Sequence, residues 1–150
     1  MNPVSTFDAP VWRLIPAQDV DHPALPARAP AGRFHHSGQI AVYASLSADG
    51  AAVAIRRYLG DGVARRLVPM WLTAKCIADV RGTAEASMVW QDIVEGGAPS
   101  PTWVYSDAAR AAGAEALLYS SRSRPELSHV VVFDPRCLRQ VGPPSAFNGT

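Results

Sequence analysis

The sequence predicts a mixed α+β domain with more strand than helix at its centre. Three observations carry that expectation. Apolar runs of strand length recur at Val11 to Ile15, Ile40 to Ser45, Leu67 to Leu72, Ala116 to Tyr119 and His129 to Phe133. Helix entries are few and short, beginning near Ser47, Ser87 and Ser106. Prolines interrupt the chain, with Pro16, Pro23, Pro26 and Pro30 crowded into residues 16–31; each removes an amide donor and fixes φ, so this stretch reads as an irregular connection.

Length and composition set further bounds. A chain of 150 residues, 48% of them apolar, is expected to fold as one domain with a substantial core. That core spans about residues 11–138, with 1–10 and 140–150 as loose termini. A net charge of +1 gives no support for nucleic-acid or acidic-membrane binding. No apolar run approaches the ~20 residues of a membrane helix, and Met1 to Val11 lacks a signal-peptide pattern. The expected location is the cytoplasm. Cys76 and Cys137 lie far apart without CxxC spacing, so neither a disulfide framework nor a zinc knuckle is indicated. Lys75 is the only lysine among fourteen basic residues. Genome base composition explains such a skew, and so does bidentate anion recognition by arginine.

The elements follow in order. Val11 to Ile15 is a strand stopped by Pro16, and Ile40 to Ser45 a second. Ser47 caps a helix with Asp49 in its first turn and Ala51, Ala52, Ile55, Tyr58 and Leu59 at helical spacing, closed by Gly60-Asp61-Gly62. Leu67 to Leu72 is a strand whose Pro69 argues for an edge or bulge. Cys76 to Val80 is a short apolar piece. Ser87 to Val94 reads as helix, stopped by Gly96-Gly97. Ser106 or Asp107 caps an alanine-rich helix closed by Gly113. Ala116 to Tyr119 and His129 to Phe133 are strands.

Two distant blocks hold the residues suited to chemistry. Arg33 follows a glycine ahead of a strand, where a guanidinium can grip a phosphate or carboxylate, or simply sit solvated in a loop. Tyr43, within an apolar strand, offers a ring and a hydroxyl to a nucleotide, or a core contact. Ser120 and Ser121 end a strand just before Arg122 and Arg124; they suit a ligand amide or ribose, or a polar turn. His35 and His36 are adjacent, so on an extended segment they point to opposite sides, which argues against a shared metal. No GxSxG elbow surrounds Ser121. Trp71, Trp90 and Trp103 suit core packing better than an interface.

Taken together, Val11-Trp12-Arg13-Leu14, Gly32-Arg33-Phe34 with Gly38, Val42-Tyr43-Ala44-Ser45, Ser106-Asp107-Ala108 through Gly113, Leu117-Leu118-Tyr119-Ser120-Ser121 and Val131-Val132-Phe133-Asp134 resemble the RES domain family. The resemblance covers nearly the whole chain. It implies an ADP-ribosyltransferase-like α+β fold with mixed, mostly antiparallel central β-sheets and flanking short helices. It also implies a toxin of a type II toxin–antitoxin system, with NAD as substrate rather than a prosthetic group. Such a toxin cleaves the nicotinamide–ribose bond and passes ADP-ribose to water, phosphate or protein. The implied partner is a cognate Xre-type helix-turn-helix antitoxin, with a homodimer or larger toxin–antitoxin assembly possible. The resemblance gives Arg33, Tyr43 and Ser121 as catalytic, and Arg13, Arg33, Phe34, His35, Tyr43, Ser120 and Ser121 as NAD-binding, with no metal.

The sequence departs from the family at one point. The family places a glutamate on the helix after the tyrosine strand, and here that position is Ala54. An oxocarbenium-like transition state gains from a nearby carboxylate. Asp49 and Glu85 are the substitute carboxylates, and His35 the substitute base. Otherwise the domain binds NAD or a partner protein without efficient catalysis.

Overall fold

The computed structural model describes residues 6–147 except 57–58 and 88–90. It is an α+β fold built on one mixed, mostly antiparallel sheet of eight strands with few short helices. The strands are β1 (Phe7–Pro16), β2 (Val42–Ser45), β3 (Arg65–Ala74), β4 (Ile77–Asp79), β5 (Ala116–Ser120), β6 (Ser128–Val132), β7 (Leu138–Gln140) and β8 (Ser145–Ala146). The helices are α1 (Ala48–Ala54), α2 (Gln91–Glu95) and α3 (Trp103–Ala111). The strand order is β4-β5-β6-β2-β1-β3-β7, with β8 also on β3, and only β4–β5 is parallel.

Alternation along the strands builds two cores. Val11, Val42, Ala44, Val68, Met70, Leu72, Ile77, Leu118, Val130, Val132 and Leu138 share one cluster. β3 and β4 lie far apart in the strand order yet are joined by only Lys75 and Cys76, so the sheet coils to bring them together, as twisted sheets do. Phe34, Ala41, Leu117, Tyr119, Val131 and Ala109 form the second core on the opposite face, closed by α3 and the segment before β2.

Several boundaries differ from the sequence expectation. β1 begins at Phe7 rather than Val11, because Phe7 to Pro10 keeps pairing with Ala74 to Trp71. The C-terminal stretch expected to be loose, 140–150, starts on the last residue of β7 and contains β8, and both strands are zipped to β3. Ser47 does cap α1, its Oγ accepting the Gly50 N–H at 2.9 Å, but the α-helix ends at Ala54. Tyr58 lies outside the described residues, as do Trp90 and the middle of the helix expected over 87–94. Helix α3 starts at Trp103, ahead of Ser106, and ends as expected with Gly113 at a φ of 85°. Pro69 sits inside β3 opposite the gap between β7 and β8, where no ladder amide is required.

The turn before β2 is tight. Gly32 and His35 form an isolated bridge, the Gly32 N–H donating to the His35 carbonyl at 2.8 Å. A Cβ on Gly32 would lie 2.3 Å from His35 Cε1 and 2.7 Å from its Nδ1. That ring is hydrogen-bonded at both nitrogens and cannot swing aside. Gly32→Ala is therefore expected to destabilise the fold by about 1–3 kcal/mol through overpacking. A urea midpoint equal to that of the unaltered protein would contradict this.

Candidate functional site

Register places the candidate residues. Tyr43 and Ser45 of β2 stand opposite Val131 and His129 of β6, which stand opposite Leu117 and Tyr119 of β5. All project to the face that carries the second core. Ser121 follows Tyr119 on that face, its N–H still donating to the Leu127 carbonyl. Its Oγ accepts the Arg124 N–H at 3.3 Å.

Arg33 lies over this face, its guanidinium carbon 5.8 Å from the centre of the Tyr119 ring. Its backbone is fixed by α3 and the cap before it. Three consecutive carbonyls are gripped: Trp103 Nε1–H donates to Gly32 O at 2.7 Å, the Thr102 hydroxyl to Arg33 O, and Arg110 Nη1–H to Phe34 O at 2.9 Å. Arg110 also donates to Ile40 O and stacks 4.0 Å from the centre of the Phe133 ring. Among the described residues, Arg33 has no carboxylate partner, whereas Arg28, Arg65, Arg81, Arg124 and Arg136 are each ion-paired. A half-buried, aimed and uncompensated guanidinium is suited to an incoming anion.

The histidines divide as adjacent residues should. His35 turns inward. The Ala29 carbonyl can only accept, so Nε2 carries the proton, and Nδ1 accepts from the Tyr43 hydroxyl at 2.7 Å. That hydroxyl accepts in turn from the Phe34 N–H at 2.9 Å. Burial holds His35 below its ordinary pKa and raises that of the Tyr43 phenol. With both nitrogens engaged, His35 braces Tyr43 rather than standing ready as a base. His36 turns outward to Asp107 at 2.8 Å and packs its ring against Trp103.

Other sequence candidates fall elsewhere. The Phe34 ring is fully buried against Tyr119, 4.5 Å between centres. Ser120 points to the opposite face, its Oγ accepting the Gly82 N–H. Arg13 also faces away, aligned with Val68 of the first core. It donates to the carbonyls of Tyr43, Pro23 and Leu25, and burial pushes its guanidinium down to about 10. It ties the proline-rich segment to the back of β2. Asp49 is exposed in the first turn of α1, and Glu85 is exposed near the Tyr105 hydroxyl. Ala54 is exposed at the end of α1.

One residue of the site was not singled out from the sequence. His129 is 3% exposed, with Nδ1 2.7 Å from Ser45 Oγ and its ring 5.4 Å from that of Tyr119. Burial, with Arg33 alongside, pushes its imidazole down to about 4. Its only sequence signal is its place two residues before Val131 on a strand, which fixes its face relative to that strand but not its neighbours.

Because the folded pKa of His129 lies below the unfolded value, its contribution to stability is full above about pH 6.5 and falls as pH drops toward 4. The loss is on the order of 3 kcal/mol, and His35 shifts in the same direction. Urea unfolding at pH 7 and about 4.5 is expected to show this loss, with His129→Gln reducing it. Equal acid sensitivity in the variant would contradict the assignment.

A family model for the RES domain matches residues 10–147. The chain belongs to the RES family. No curated protein matches its sequence. The fold of this RES domain is similar to one in the crystal structure of the M. tuberculosis MbcT–MbcA toxin–antitoxin complex. That match has a TM-score of 0.70 and 19% identity, over 97% of this chain and 87% of that one. At that identity the likeness speaks for the fold. Among the described residues, no helix is long and apolar enough to cross a membrane.

Proposed function

We propose that this RES domain is the toxin of a toxin–antitoxin pair and consumes NAD by breaking its nicotinamide–ribose bond. The observation that carries the reading is Arg33. It is a guanidinium without a carboxylate partner among the described residues, fixed through its backbone and set over the Tyr119 ring, on the face that also carries Tyr43 and Ser121. A pyrophosphate supplies the missing counter-charge, and the partly exposed Tyr43 supplies a flat surface near it. Family membership and the fold shared with a chain of a toxin–antitoxin complex support the same reading. The partner in this proposal is an Xre-type helix-turn-helix antitoxin, and the setting is the cytoplasm.

A second reading has one specific observation in its favour. Ala54 offers no carboxylate, and Asp49 and Glu85 are both exposed, so an NAD-binding domain without efficient turnover is the alternative. Incubating the purified protein with NAD and following nicotinamide release separates the two. Release well above that of Arg33→Ala supports the toxin. NAD binding by calorimetry without release supports the binding module, and absence of both overturns both.

A further inference from the structure

We propose that His129, oriented by Ser45, is the general base that makes water the acceptor in this site. The inference rests on the NAD-cleaving reading above and adds to it a residue and an acceptor. Three geometric observations carry it. His129 occupies the middle strand of the site face, between Tyr119 on β5 and Ser45 on β2, and Arg33 lies over the neighbouring Tyr119 ring. Its Nδ1 is tied to Ser45 Oγ at 2.7 Å, and α1 holds Ser45 in place, a Cβ built on Gly50 falling 3.1 Å from Ser45 Cβ. Its Nε2 has no hydrogen-bond partner among the described residues. No buried side-chain nitrogen or oxygen there lacks one, so Nε2 keeps a small solvent-accessible area although His129 as a whole is buried. A ring held at one nitrogen and open at the other is the arrangement general-base chemistry requires. The site has no described carboxylate to share the task, and His35 is engaged at both nitrogens.

His129 is assigned the tautomer in which Nδ1–H donates to Ser45 Oγ, leaving Nε2 as the acceptor. Water oxygen bonds to the ribose anomeric carbon as the C–N bond breaks. The bonding pair leaves with nicotinamide, which becomes neutral. The water proton passes to Nε2 and then to solvent, giving ADP-ribose, nicotinamide and one proton from NAD and water.

The charged and titratable groups around His129 are Arg33, Tyr119 on β5 and Tyr43 along β2. From α1, Asp49 is exposed, and so is Arg56 just beyond the helix. Burial first, and Arg33 second, disfavour the imidazolium in the empty site. A bound phosphate neutralises Arg33 and removes the second of these causes, so the base strengthens once substrate is seated.

The test uses the full chain with NAD in phosphate-free buffer. His129→Asn is expected to lower kcat by about 100-fold or more and leave KM within about threefold. Inorganic phosphate, already an anionic nucleophile, is expected to restore part of the release. In the unaltered protein the acid limb of kcat is expected at higher pH than that of kcat/KM. This last measurement keeps the inference falsifiable if the variant does not fold. Wild-type turnover in His129→Asn, or coincident acid limbs, overturns the role of His129 while leaving NAD cleavage standing. No nicotinamide release from the unaltered protein overturns both.

Discussion

Arg33→Ala is expected to reduce nicotinamide release by about 10²–10³-fold, the range for removing one aimed charge-stabilising group. The backbone at position 33 is held by carbonyl contacts that the substitution leaves intact. The loss therefore reports the guanidinium and not collapse of the turn. Arg33→Lys keeps the charge but not the planar fork, and is expected to recover only part of the loss. Both are read from initial rates across NAD concentrations. A kcat/KM unchanged in Arg33→Ala would remove the anion-gripping role.

The opposite sign is expected at Ala54. This residue lies one helical turn beyond Gly50, which packs against Ser45 and so sits over the site face. Ala54 is exposed, so a longer side chain meets no core atoms. Ala54→Glu is expected to raise turnover by about 10²-fold by placing a carboxylate near the positive charge of the transition state. A circular dichroism spectrum matching the unaltered protein checks the fold. Unchanged turnover in a folded Ala54→Glu protein would mean that the end of α1 does not face the reacting ribose.

Much of the sheet is legible in the sequence because continuous apolar runs of strand length, bounded by turn residues, leave little choice. Val130 to Val132 and Ala116 to Tyr119 appear as strands in both readings. The misjudged pieces are those where tertiary pairing overrides local signals. Pro10 reads as lead-in, yet β1 runs through it alongside Trp71. Helix α3 opens at Trp103 behind Thr102, which stands at the N-cap but turns its hydroxyl to the Arg33 carbonyl, while Trp103 donates to that of Gly32. Within the site, alternation fixes that Ser120 and Ser121 part ways, as it does for His35 and His36. It does not tell which strands lie side by side. For that reason Arg13 is indistinguishable by sequence from a ligand contact, and His129 from an ordinary strand residue.

The grip on Gly32, Arg33 and Phe34 reaches across 71, 69 and 76 positions of chain. During synthesis the guanidinium therefore emerges long before the groups that aim it. Translation must pass Arg110 before the turn is fully clamped, and any product cut short before Thr102 carries an arginine with no set direction. On the proposed reading, competence at this site is a property of the nearly finished polypeptide, and truncated products would be inactive.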